Sequence, residues 1–295
     1  MLLPTPVNII VKQIYSDTGL KNKLEEPTKI RISNSRSRAV TFVAKSKMGP
    51  TKGQNVFVKC TPEFALGMQK IPMVKNQVIT RKKFTKALVE TTLSRMIKKA
   101  VDLQGTPHLS VCHNDTLISS SDLKPLNTAV IIDKQRVMWF TLLISEYIDH
   151  VTLNEALNGP LSVRNFDTLD VVKQGEIREL HKSMSNKQFH CVIFLQIFHA
   201  FYILNTVLGI QHLDNHYGNI IVHRTSSIKS QNKYTIIDSL GKDMDFYLPN
   251  MGWSIKVIDF DGSMKYARPT LNTNLQPEVN NPNITSNYNI AKNIS

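Results

Sequence analysis

Between His212 and Asn219 the chain reads His-x-Asp-x-x-x-x-Asn, with Asp214 and His216 inside the stretch, and an apolar run over 220–222 follows directly. A second apolar run, 255–258, ends in Asp259, with Phe260 and Asp261 behind it. The two runs present a loop carboxylate, an imidazole, an amide oxygen and a distant second carboxylate. A loop carboxylate can accept a hydrogen bond from a hydroxyl and take up its proton. An amide oxygen and a carboxylate together suit a hard divalent cation, above all one that also binds phosphate oxygens. A solitary acid on a loop is ordinarily just solvated, and His-x-Asp alone arises readily by chance. The full spacing, with two strand-like runs and a second acid, is far rarer.

Several elements must position these groups. Residues 29–32, 39–44 and 55–59 read as three strands, because β-branched runs alternate with turn chemistry at Gly49, Pro50 and Gly53. The first loop, 33–37, is serine-rich and contains Ser35. Residues 80–103 read as a helix in which Phe84, Leu88, Met96 and Ile97 recur near helical spacing. Glu90 is its only acid before Asp102. Residues 137–145 form a candidate buried strand, and 152–157 a short helix. Residues 191–210 are long and apolar, but they hold Gln196, His199, Asn205 and Thr206 and run straight into the His212 loop. A buried core helix fits that better than a membrane span. Within 223–254, residues 234–238 and 245–249 read as an inserted hairpin.

The stretch from His212 to Asn219, followed by Asp259-Phe260, resembles the catalytic loop and the metal-binding Asp-Phe-Gly of protein kinases. The resemblance implies an α+β, two-lobed kinase-like fold, with a small lobe over 1–145 and a large lobe over 146–270. It implies that Asp214 orients the attacking hydroxyl and that Asn219 and Asp259 bind Mg²⁺. Lys59 would sit on the ATP phosphates, with Glu90 holding it in place. Lys45, after Val43-Ala44, competes for the lysine role, and Lys59 is preferred because two strands precede it. Glu146 and Ile148 fall where a kinase hinge binds adenine, and Ser35 falls in the loop that would approach the phosphates. Phe246-Tyr-Leu-Pro-Asn-Met-Gly252-Trp253, Val56-Phe-Val-Lys59 and Ala87-Leu-Val-Glu90 resemble stretches in kinase-like proteins of large DNA viruses. The resemblance therefore implies a viral member of the superfamily, a Ser/Thr kinase, working intracellularly in host cytoplasm or virion.

Departures accompany the likeness. His216 stands where most protein kinases carry Lys, and Asp214-x-His216-x-Gly218-Asn219 also resembles aminoglycoside and choline phosphotransferases. Asp214 and Asp259 are 45 residues apart, against roughly twenty in typical kinases. Asp261 replaces the glycine of Asp-Phe-Gly, no Ala-Pro-Glu follows, and only 34 residues remain after Asp261. The large lobe is accordingly expected to be truncated, and the Asn-rich tail over 271–295 to be disordered. A small-molecule kinase and a catalytically inactive kinase-like binding protein stay open as alternatives.

Composition bounds the partners. With 36 Lys and Arg against 23 Asp and Glu, the net charge is +13. Residues 29–100 hold 17 basic residues and two acids, a local balance of +15, so the remainder is slightly acidic. Such a region attracts anionic partners, an acidic protein or nucleic acid, beside the protein substrate and ATP. Cys60, Cys112 and Cys191 form an odd set without metal-ligand spacing, which fits a reducing compartment. Residues 1–6 show no basic region before an apolar stretch, so no signal peptide is expected.

Overall fold

The computed structural model describes residues 15, 20–32, 39–64, 86–102, 106–119, 131–132, 135–225, 230–237, 241–260 and 263–265. The 33–37 loop, Phe84, the Leu88 side chain, Asp261 and the 271–295 tail lie outside the described residues. The chain is α+β, with several antiparallel sheets and a set of helices. It divides into two compact units, Met1–Thr91 with Cys112–Tyr147 and Thr92–Val111 with Ile148–Ser295.

The first unit is built on an antiparallel sheet. Its strands are β1 (Thr28–Ile32), β2 (Val40–Lys45), β3 (Asn55–Phe64), β4 (Cys112–Ser119), β5 (Ile131–Ile132) and β6 (Gln135–Glu146), in the order β1-β2-β3-β6-β4 with β5 beside β6. Alternation fixes what each face carries. On β3, Val56, Val58 and Cys60 are buried, and they pack with Phe42, Phe140, Leu142 and Ile144, with Leu20 of the short helix α1 (Leu20–Lys23) and with Leu24 just after it. Phe57 and Lys59 fall on the opposite parity and face the other way. β3 runs on to Phe64, five residues past Lys59, where the sequence reading ended it. Pro62 is tolerated because β2 pairs with β3 only over Asn55–Cys60, so Pro62 has β6 alone as a ladder partner.

The second unit carries the loop with Asp214. It includes β7 (Val151–Thr152), α3 (Leu153–Asn158), α4 (Val171–Met184), α5 (Lys187–Tyr202), β8 (Ile210–Gln211) and β9 (Ile220–Arg224). It also includes the inserted hairpin β10 (Gln231–Ile237) and β11 (Asp243–Pro249), then β12 (Trp253–Val257) and β13 (Met264–Lys265). The hairpin expected from the sequence is present, antiparallel and in register from Gln231↔Pro249 to Ile237↔Asp243. α3 starts with a capping box: Thr152 Oγ1 accepts from the Glu155 amide at 3.2 Å, and Glu155 Oε2 from the Thr152 amide at 2.7 Å. The helix α2 (Lys86–Asp102) is divided between the units at Thr91 and Thr92, with Glu90 in the first unit.

Among the described residues one helical stretch, Lys187–Val207, is long and apolar enough to cross a membrane. Its two buried polar residues have partners within the unit. Gln196 Oε1 accepts from the Ile255 amide at 3.0 Å, and His199 Nε2–H donates to the Thr235 carbonyl at 3.3 Å. Both are 2% exposed, as a core helix requires. The outer face of the same helix leaves Phe194, Leu195 and Phe198 exposed.

Candidate active site

In the first unit the lysine and the helix acid meet. Lys59 lies mid-strand, opposite Thr41 on β2 and Leu143 on β6. Its Nζ donates to Glu90 Oε1 at 2.9 Å, with side-chain exposures of 12% and 5%. The pair spans 31 residues of sequence, so strand parity and helix phase must agree to form it. The competing Lys45 is exposed at the end of β2. Two charges so shielded from water are worth having only as a well-formed pair, because the desolvation of each is costly.

In the second unit, β9 and β12 form an antiparallel ladder from Ile220↔Val257 to Trp253↔Arg224. Burial alternates along β12, with Trp253, Ile255 and Val257 inside. The ladder holds the two loops side by side. The Ile258 amide donates to the Asn219 carbonyl at 3.0 Å, which sets Asp259 next to Asn219's own loop. His212 is buried at 2%. Its Nε2–H donates to the Ile258 carbonyl at 2.9 Å, and its ring packs against Phe260 at 5.2 Å. Beyond Asp259 the chain turns back, Ser263 Oγ–H donates to the His212 carbonyl at 3.3 Å, and β13 pairs with β8.

The loop between is knitted by its own hydrogen bonds. The Asp214 amide donates to the His212 carbonyl at 2.5 Å, the His216 amide to the Asp214 carbonyl at 3.0 Å and the Asn219 amide to the His216 carbonyl at 2.9 Å. Asn219 Nδ2 donates to the Asp214 carbonyl at 2.9 Å and lies 3.5 Å from Asp214 Oδ2. The nitrogen of that side chain is engaged within the loop, and its oxygen is the atom with metal-ligand chemistry. Leu213 at φ 49° and Asp259 at φ 61° are left-handed, a conformation that costs a bulky residue such as Leu about 1–3 kcal/mol and that surrounding bonds must enforce. Leu213 directly precedes Asp214, and Asp259 is itself one of the groups with chemistry.

Asp214 and His216 are more than half exposed, with Asp214 Oδ1 3.9 Å from His216 Nε2. Asp259 is exposed as well, and Asn219 is 7% exposed. Among the described residues no group of three or more His, Cys, Asp and Glu side chains could hold a metal. An amide oxygen and one carboxylate do fit Mg²⁺, which keeps several waters and is completed by substrate phosphates. Of the remaining expected residues, Glu146 ends β6 in the first unit. Ile148 opens the second unit, and its carbonyl accepts from His150 Nδ1–H at 2.6 Å. Ser35 lies outside the described residues.

Compared with known proteins, the chain matches no family model, and no curated protein matches it.

One contributor was missed at the sequence level. The segment 106–110 belongs by contacts to the second unit, and Leu109 bridges in parallel to Val257 of β12. The Val257 amide donates to the His108 carbonyl at 2.9 Å and the Ser110 amide to the Val257 carbonyl at 3.0 Å. His108 Nδ1–H donates to the Ile255 carbonyl at 3.0 Å, and Tyr234 O–H donates to His108 Nε2 at 2.9 Å. Burial of His108 pushes its pKa down to about 3, and burial of Tyr234 pushes the phenol up to about 12. His108 is therefore a neutral clamp on the strand that delivers Asp259. The nearest sequence signal was a polar residue between Pro107 and Leu109, and its partner Ile255 stands 147 residues away.

Proposed function

We propose that the chain is an ATP- and Mg²⁺-dependent phosphotransferase with a two-lobed, protein-kinase-like fold and a truncated large lobe, acting on serine or threonine of proteins. The observation that carries this reading is the hydrogen-bonded loop from Asp214 to Asn219, tied through Ile258 to Asp259. A loop that merely connects two strands has no need for an asparagine amide fastened to the backbone of an exposed aspartate. The Lys59–Glu90 pair supports the same reading, since the resemblance singled out those two residues for each other.

In this mechanism Asp214 accepts a hydrogen bond from the acceptor hydroxyl, orients it and takes its proton late in transfer. Such assistance is typically worth about 10² to 10⁴ in rate. Lys59, its ammonium fixed by Glu90, binds phosphate oxygens. Asn219 Oδ1 and the Asp259 carboxylate would hold Mg²⁺, which supplies neutralisation of phosphate charge when bound. The backbone from Glu146 to Ile148 would bind adenine, and small side chains around Ser35 would allow close approach to the phosphates. The reading carries with it a viral, intracellular protein, in host cytoplasm or virion.

A second reading, a kinase of small alcohols, draws on Asp214-x-His216-x-Gly218-Asn219, which resembles aminoglycoside and choline phosphotransferases. Titration calorimetry with MgATP tests the shared part. Asp259→Ala should weaken binding by roughly ten- to a hundredfold, the loss of a charge-assisted contact. Equal affinity in both proteins would remove Asp259 from the site. Phosphate transfer to protein acceptors but not to small alcohols would decide between the two readings.

A further inference from the structure

We propose that His216 divides its two ring nitrogens between fold and reaction, Nδ1 holding the loop and Nε2–H positioning the Asp214 carboxylate. The role rests on the phosphotransferase reading above. The Gly218 amide donates to His216 Nδ1 at 3.0 Å, closing the turn Tyr217–Asn219. A nitrogen that accepts carries no proton, so in the neutral ring the proton sits on Nε2. Nε2 lies 3.9 Å from Asp214 Oδ1. That is too long for a hydrogen bond, yet within the range from which catalytic contacts tighten when substrate binds. On the other side Asp214 Oδ2 has Asn219 Nδ2 at 3.5 Å. The carboxylate is thus flanked by a donor from its own loop at each oxygen.

Two further observations bear on the ring. Its side chain is 61% exposed, so core packing does not explain its placement. A Cβ on Gly218 would come within 2.9 Å of both Cε1 and Nδ1 of His216. Glycine at 218 is what admits the imidazole over the turn, which ties together three positions of the Asp-x-His-x-Gly-Asn sequence as one mechanical unit.

Two substitutions separate the nitrogens. His216→Asn places an amide oxygen near the Nδ1 position, keeps the acceptor for Gly218 and removes the outer donor. His216→Gln carries an amide donor out to the Nε2 position and gives up the Nδ1 acceptor. Phosphate transfer from MgATP should fall about ten- to a hundredfold in kcat for His216→Asn, with KM, MgATP affinity and stability near wild type. His216→Gln should recover much of that kcat while losing stability. A ring whose only task is to close the turn demands the opposite order, with Asn near wild type in kcat and Gln worse. That order, or equal impairment of both, overturns the proposal. Selective ¹⁵N labelling of histidine reads the tautomer in the free protein without reference to activity. The Nε2–H form is expected, and the Nδ1–H form would overturn the proposal even in an active enzyme. A wild-type protein that binds MgATP but transfers no phosphate would remove the phosphotransferase reading, and the role of Nε2 with it, whichever tautomer is found.

Discussion

Replacing Lys59 by methionine should destabilise the first unit by about 3 kcal/mol, within the range seen when one partner of a buried pair is removed. At 2.9 Å the attraction amounts to about 6 kcal/mol for an effective dielectric of about 20. Exposures of 12% and 5% leave little solvent screening to discount. Much of that attraction offsets the desolvation of the two groups, so the net worth of the pair is far smaller than its Coulomb energy. Lys59→Met nevertheless strips the ammonium from a carboxylate that stays buried, and that loss is felt nearly in full. The double variant Lys59→Met/Glu90→Met should recover most of the stability, since two apolar chains of similar volume need no ionic partner. Trp139 lies on β6 of the first unit and Trp253 on β12 of the second. Urea unfolding followed by tryptophan fluorescence in a Trp253→Phe background therefore reports the first unit. A loss under about 1 kcal/mol for Lys59→Met, the range of exposed pairs, would refute the reasoning, as would a double variant no more stable than the single one.

Acid should loosen the second unit through His108. Its folded pKa of about 3 lies below the value of about 6.5 in the unfolded chain, so the unfolded state takes up the proton first. The stability is fully present above pH 6.5 and is lost as pH falls toward 3. Between pH 7 and 5 the loss is about 2 kcal/mol for this one residue, and His199, also lowered by burial, adds in the same direction. Urea unfolding read from Trp253 at the two pH values measures it, and His108→Leu should lower stability at pH 7 and flatten the slope. The region 29–100, at +15, should bind acidic peptides or nucleic acid at low salt. That binding should fade toward physiological salt, where exposed charges are screened within about 8 Å. Absence of binding at low salt would reduce the region to a solvated face.

The residues with chemistry were the most legible part of the chain, because their spacing is local. His212, Asp214, His216 and Asn219 lie within eight residues, and several of their bonds run within the loop itself. The Lys59–Glu90 pair was legible only through resemblance, and position along the strand separates the two lysines: the β2–β3 register puts both on one face, but Lys59 sits mid-strand and shielded while Lys45 ends its strand in solvent. What stayed hidden depends on distant partners. Nothing near His108 in sequence shows that it clamps Ile255, nor anything near Gln196 that it caps the same residue. The helix α4 went unread because Val171 and Val172 stand exposed at its start and blur the amphipathic pattern that Ile177, Leu180 and Met184 carry. The left-handed φ of Asp259 has no sequence signal at all, since a non-glycine residue there is enforced by the bonds around it.

Phosphoryl transfer carried by Asp214 is the proposed activity. Its most direct test is transfer of labelled γ-phosphate from MgATP by wild type and Asp214→Asn, with MgATP affinity of both measured alongside. In the proposed mechanism Asp214 serves the acceptor rather than the phosphate chain, so the variant should lose turnover by about 10² to 10⁴ and bind MgATP as wild type does. Equal turnover in the two proteins, or a wild type that transfers phosphate to neither proteins, small alcohols nor water, would contradict it.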